Sequence, residues 1–211
     1  MVLQGKKLRG TKKMSYIVGD FVNRGGEGEI YRVQGDASLV IKIYNDRKMQ
    51  PTQYVPDMRS HLEKKLQIMV QYPVSCYNAQ NKLCIAWPQD VVYDNYKFVG
   101  YVMPFVTTDK KIYDACREAA RLQMFPNYTW HYAVIIALNL SWTVNNIHQN
   151  NYCIGDFNPN NILVDERGNV TLIDADSFDI VDPKRGNSYK CMVGVQEMLA
   201  PELQGRGNLQ S

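Results

Sequence analysis

The chain has 211 residues, 45% of them hydrophobic and 21% charged, with 24 Lys and Arg against 21 Asp and Glu. That length holds one domain or two small ones, and the composition excludes disordered, collagen-like and low-complexity chains. Five cations, Lys6, Lys7, Arg9, Lys12 and Lys13, fall in the first 13 residues without an acid, leaving 19 cations against 21 acids elsewhere. This argues against a nucleic-acid surface built on phosphate neutralisation.

The basic arm, residues 1–15, reads as a solvated tail. Tyr16, Ile17 and Val18 lead through Phe21 and Val22 into a glycine-rich turn, and residues 29–33 alternate as the next strand. Gln34-Gly35-Asp36 is a turn signal, and residues 39–44 form a β-branched strand with Lys42 inside it. Pro51 and Pro56 mark an irregular link. Leu62, Leu66 and Met69 recur at i, i+4 and i+7, predicting a helix that Pro73 ends. Residues 83–87 and 98–103 read as two further strands, joined by the polar turn Tyr93-Asp94-Asn95.

After Pro104 the character changes. Residues 112–124 predict a helix, and 128–148 a long apolar one closed by Asn150-Asn151. Residues 162–164 and 170–173 read as short strands across a loop that contains Gly168. A strand-rich front and a helix-rich back predict two lobes, with the boundary at residues 104–107. The apolar run 132–144 is too short to span a bilayer and is interrupted by Asn139 and Ser141. The N-terminus has no signal-peptide core. The five cysteines, Cys76, Cys84, Cys116, Cys153 and Cys191, are odd in number and lack Cys-x-x-Cys spacing, so thiols in a reducing, cytoplasmic setting are expected.

Several residues carry chemistry. Gly25, Gly26 and Gly28 let backbone N–H groups approach phosphate oxygens, although no Gly-Lys-Ser/Thr follows as in a Walker A loop. Lys42 is a charge inside an apolar strand, which needs a partner if it is buried. Glu63, 21 residues later on the predicted helix, is a candidate. Asp156 and Asn161 lie five apart on a loop before an apolar strand, and Asp174 follows the second strand. Asp156 suits proton acceptance from a hydroxyl, and Asn161 and Asp174 offer hard oxygen ligands for Mg²⁺.

In this order, with Ala200-Pro201-Glu202 behind them, these residues resemble the protein-kinase signature set over about residues 16–205. The resemblance implies an α+β, bilobal protein-kinase-like fold. Its N-lobe (16–105) would be an antiparallel sheet with one main helix, and its C-lobe (106–211) mostly helical and truncated after the Ala-Pro-Glu segment. It implies that Gly25, Gly26 and Gly28 cover the phosphates of ATP, and that Lys42 holds the α- and β-phosphates and pairs with Glu63. Met103 resembles the gatekeeper, and residues 104–106 the hinge, where Pro104 and Val106 would meet adenine. Asp156 would be the catalytic base, and Asn161 and Asp174 the Mg²⁺ ligands.

The departures carry expectations of their own. Asn23 stands at the first loop glycine, and Asn158 replaces the lysine near the γ-phosphate. Asp174-Ala175-Asp176 lacks the glycine that lets this segment flip. Ile154-Gly155 replaces His-Arg before the catalytic Asp, so activity is expected to be independent of activation-loop phosphorylation. Gly155-Asp156 with Asn158-Pro159 also resembles small-molecule phosphotransferases such as aminoglycoside kinases. The stretches 87–88 and 99–104 are similar to a bacterial kinase subgroup associated with von Willebrand-type and PP2C-phosphatase proteins. The expected function is a Mg-ATP-dependent Ser/Thr protein kinase; the alternatives are a nucleotide-binding pseudokinase scaffold and a small-molecule kinase. The chain stops nine residues past Glu202, so a fragment of a longer protein with an exposed apolar face, prone to self-association, is expected.

Overall fold

The computed structural model describes residues 3–11, 14–75 and 77–191. The chain divides into two compact units, one from Met1–Pro73 and Trp87–Phe105, the other from Val74–Ala86 and Val106–Ser211. The first holds strands β1 (Lys7–Gly10), β2 (Ser15–Arg24), β3 (Gly28–Val33) and β4 (Asp36–Tyr44), helix α1 (Met58–Gln71), and strands β5 (Asp90–Asp94) and β6 (Lys97–Pro104). The strands close into an antiparallel barrel in the order β1-β2-β3-β4-β6-β5, with β1 returning to β5. Leu8, Tyr16, Val18, Tyr31, Val33, Ile41, Val92 and Val102 fill its core. Asp57 caps α1 by accepting from the Ser60 N–H, and the helix buries Leu62, Leu66 and Met69.

In the second unit α2 (Ile112–Cys116) and α3 (Glu118–Met124) are separated at Arg117, which is extended (φ −102°, ψ 122°). The long helix α4 (Trp130–Gln149) starts at Thr129, whose hydroxyl accepts from the Tyr132 N–H. A hairpin of β7 (Ile162–Val164) and β8 (Val170–Leu172) follows, then a second pair, β9 (Ile180–Val181) and β10 (Ser188–Tyr189). No helix among the described residues is long and apolar enough to cross a membrane.

This architecture corrects the expected bilobal protein-kinase-like fold. The front strands form a closed six-stranded barrel rather than an open antiparallel sheet. Among the described residues the back is not mostly helical, since two two-stranded sheets accompany three helices, of which only α4 is long. The arm read as a tail supplies the closing strand. Cations hide its alternation, in which Leu8 and Gly10 are buried while Lys7 and Arg9 are exposed. The strand expected at residues 83–87 lies instead at Asp90–Asp94. Leu83 and Ile85 form only isolated bridges, to Tyr77 and Leu172.

One buried carboxylate ties the barrel's closing seam. Asp90, 1% exposed on β5, accepts from the Thr11 N–H (3.1 Å) and hydroxyl at the end of β1, and from the Tyr16 hydroxyl on β2 (3.0 Å). Gly10 is required beside it, because a Cβ there would strike the Asp90 carboxylate. Lys6 adds an outer ion pair to Asp94 at 2.5 Å. Burial and the Asp90 charge push the Tyr16 phenol up to about 12.

Asp90→Ala leaves the Thr11 and Tyr16 donors without their acceptor, and is expected to destabilise the fold by about 3 kcal/mol in urea unfolding. A phenol whose pKa folding raises contributes stability that is complete below its unfolded value near 10 and is lost as pH rises toward its folded value. Stability measured by urea melts should therefore fall between pH 10 and about 12. Phenylalanine at position 16 should flatten part of that decline.

Candidate functional site

In the barrel unit, β2 and β3 meet at a turn closed by the Gly25 N–H on the Gly28 carbonyl (2.9 Å). A Cβ at Gly25 or Gly26 would meet nothing within 4 Å, whereas one at Gly28 would strike the Ile43 carbonyl. The first two glycines line open space, and the third permits the close approach of β3 to β4.

Lys42 sits mid-β4, opposite Ile30 and Tyr101, with its side chain only 6% exposed. A Cβ at Gly100 on β6 would overlap the Lys42 carbonyl, so the strand backbone is gripped at this residue. The Lys42 ammonium lies 3.7 Å from Glu27 Oε2, and 5.6 and 5.9 Å from the ring centroids of Tyr44 and Tyr101. Opposite charge and aromatic faces both lower the cost of burying it. Glu63 is not brought to Lys42. Its carboxylate accepts from Tyr93 of β5 at 2.8 Å and from Gln67 at 3.3 Å, because residues 63 and 67, one helical turn apart, both meet that ring's hydroxyl. Met103 and Pro104 are buried at the end of β6, opposite Val40 and Leu39, while Val106 is half-buried in the second unit.

In the second unit, Asp156 precedes and Asn161 ends a single 3₁₀ turn, Pro159–Asn161. Asn158 caps it by accepting from the Asn160 N–H (2.9 Å), and proline at its first position suits the start of a helical turn. The turn brings the Asn161 amide nitrogen back to Asp156 Oδ2 at 3.2 Å. Hairpin β7–β8 then returns the chain, and the Ile173 N–H donates to the Asn161 carbonyl (2.9 Å), so Asp174 follows immediately beside Asn161. Asp174 is left-handed (φ 58°, ψ 41°), a conformation Asp tolerates better than most residues, and its carbonyl accepts from the Ser177 N–H and hydroxyl. The hairpin rests on α4 through Tyr132 Oη to the Asp165 carbonyl (2.6 Å) and Asn139 Nδ2 to the Gly168 carbonyl (2.8 Å).

Asn161 is thus bonded to Asp156, Asp174 follows the residue paired with Asn161, Lys42 is buried beside the glycine turn, and Glu63 bonds to Tyr93 and Gln67 rather than to Lys42. Ala200-Pro201-Glu202 lies outside the described residues. Sequence reasoning missed Glu27, which stood unremarked between glycines. It also read Gly155 as a missing arginine and as part of a phosphotransferase-like Gly-Asp pair, not as a packing requirement. A Cβ at Gly155 would collide with Cys191 Cβ and the Ser177 carbonyl, and would lie 3.0 Å from Asp179 Oδ1. Cys153 and Asp179 exchange backbone hydrogen bonds beside it (3.1 and 2.7 Å), and the Cys191 N–H donates to Asp179 Oδ1. The one visible signal was a glycine directly before the candidate Asp156.

Among the described residues no group of three or more His, Cys, Asp or Glu side chains is gathered around a possible metal position. An amide oxygen and a carboxylate from two residues suit Mg²⁺, which takes few protein ligands and completes its shell with water and phosphate.

No family model matches the chain. It is 30% identical over 189 residues to protein kinase YegI of Escherichia coli K12, covering 89% of this chain and 27% of that protein. The same protein of Escherichia coli O157:H7 matches at 30% over 185 residues (87% and 26%). A cGMP-dependent protein kinase of Eimeria tenella matches at 29% over 103 residues (49% and 9%). The chain spans about a quarter of the length of the first two relatives. These similarities support a protein-kinase-like domain.

Gly155→Ala should destabilise the second unit by about 2–3 kcal/mol, measured by thermal or urea unfolding, because two of the colliding neighbours are a backbone carbonyl and a Cβ rather than flexible side-chain ends. A neutral result would show that the 153–156 segment shifts freely.

Proposed function

We propose that the chain carries the nucleotide-binding and catalytic residues of a Mg-ATP-dependent protein kinase acting on Ser or Thr hydroxyls. The observation that carries this reading is the triplet Asp156, Asn161 and Asp174, assembled by one 3₁₀ turn and one hairpin. Similarity to proteins named protein kinases supports it. In this reading Gly25, Gly26 and Gly28 admit the phosphates of ATP and Lys42 neutralises them. Met103 and Pro104 border adenine.

Asp156 accepts the substrate hydroxyl's proton while the hydroxyl oxygen attacks the γ-phosphorus and ADP leaves with the electrons of the broken P–O bond. The Asn161 amide, donating to Asp156 Oδ2, holds that carboxylate in orientation. Asn161 Oδ1 and the Asp174 carboxylate would hold Mg²⁺, which when bound offsets phosphate charge. With no room for an arginine side chain at position 155, a phosphorylated segment would find no cation there.

The test is transfer of labelled γ-phosphate from Mg-ATP to the protein itself and to a generic protein substrate. Asp156→Ala is expected to lower the rate about 10²–10⁴-fold. An unchanged rate removes Asp156 from the base role, and no transfer by the unaltered chain removes the kinase reading. Phosphatase pretreatment should leave the rate unchanged; its abolition would contradict independence from segment phosphorylation.

A further inference from the structure

Glu27 does more than bridge two strands. Its Oε1 lies 2.5 Å from the Lys48 ammonium and its Oε2 lies 3.7 Å from that of Lys42, so two ammonium groups share one carboxylate. Like charges this close repel unless an anion lies between them. The neighbourhood is electropositive beyond this pair: burial, with Lys65, Lys48 and Lys64 nearby, pushes the half-buried His61 imidazole down. Asn45 builds the arrangement. Its N–H donates to the Glu27 carbonyl (2.9 Å), its Nδ2 to the Gly26 carbonyl (2.9 Å), and its Oδ1 accepts from the Lys48 N–H (2.8 Å). One residue thus fixes both the turn that carries the carboxylate and the lysine that receives it.

The carboxylate is nevertheless removable. The Lys42 backbone is held between strands at Gly28 and Gly100, while Glu27 offers its carboxylate from a turn with open side-chain space at its neighbouring glycines, Gly25 and Gly26.

We propose that Glu27 is a stand-in for a nucleotide phosphate, holding Lys42 and Lys48 as one polyphosphate-binding pair until nucleotide displaces it. This rests on the reading above, in which Lys42 takes phosphate. It makes Lys48 a second phosphate-binding residue beside Lys42. A phosphate chain brings more charge and more acceptor oxygens than a single carboxylate, so the exchange favours nucleotide. Glu27 meanwhile lowers affinity by competing.

Dissociation constants for Mg-ATP and for inorganic tripolyphosphate, measured by titration calorimetry, test the pair. Glu27→Gln keeps the turn's shape and removes the competing charge; it should tighten binding about 2–5-fold. Lys48→Gln should weaken it about tenfold, and Lys48→Arg should restore it. Melting curves confirm that each variant is folded. Unchanged or weaker binding by Glu27→Gln overturns the stand-in, and unchanged binding by folded Lys48→Gln overturns the second cation. In either case loss of Mg-ATP binding by Lys42→Met leaves the nucleotide reading standing. Tripolyphosphate binding that needs both lysines, with no affinity for ATP, would sink the nucleotide reading and keep the pair. Absence of binding to both ligands overturns both.

Discussion

The front unit depends on Asp90. A barrel closes only when its last strand finds its first, and here the first strand is four residues long and half cationic. Leu8 buries this strand in the core, but one apolar contact does not set the register of the seam. The seam is instead specified by a carboxylate that collects hydrogen bonds from β1 and β2 at one point. Charge-assisted bonds in a dry setting are directional, so they set register as well as strength. Gly10 and Tyr16 make sense only beside that carboxylate. With the seam closed, β4 is flanked by β3 and β6, and Lys42 is held between them.

Polar groups in the second unit serve a parallel purpose over a shorter span of chain. A 3₁₀ turn with its own cap, one side-chain hydrogen bond and a hairpin of two three-residue strands hold an Asp, an Asn and an Asp within 19 positions. Local geometry suffices for that cluster, with α4 acting as a platform through Tyr132 and Asn139. The left-handed Asp174 is where hairpin pairing ends and the chain turns sharply, a conformation of the kind often kept at functional positions.

What was legible in the sequence was what local rules determine. The helix at 62–69, the β-branched strand around Lys42 and the hairpin at 162–172 have strong periodicity or turn chemistry. The grouping of Asp156 with Asn161 followed from their short separation. What could not be read depends on distant partners. β1 is a strand because β2 and β5 pair with it, and its basic residues resemble a tail in isolation. Residues 83–87 have strand composition but no neighbour to pair with along their length, whereas Asp90–Asp94, with two acids, does. Glu63 was placed on the right helix, but its partner depends on how the helix is rotated about its axis, and Tyr93 received it. The role of Gly155 depends on Cys191 and Ser177, which are remote in sequence.

The close main-chain contacts around Lys42 have a further consequence. Gly28 and Gly100 let the neighbouring backbones touch β4 at the Ile43 and Lys42 carbonyls. The position of the ammonium's stem is therefore set by steric contact between peptide groups and not by whichever anion faces it. The anchor of the charge is then a property of the sheet backbone. It also makes positions 28 and 100 silent determinants of the electrostatics at 42. A single added methyl at either would move the lysine without touching its charge, and sequence drift at these two glycines would be felt first as misplaced electrostatics.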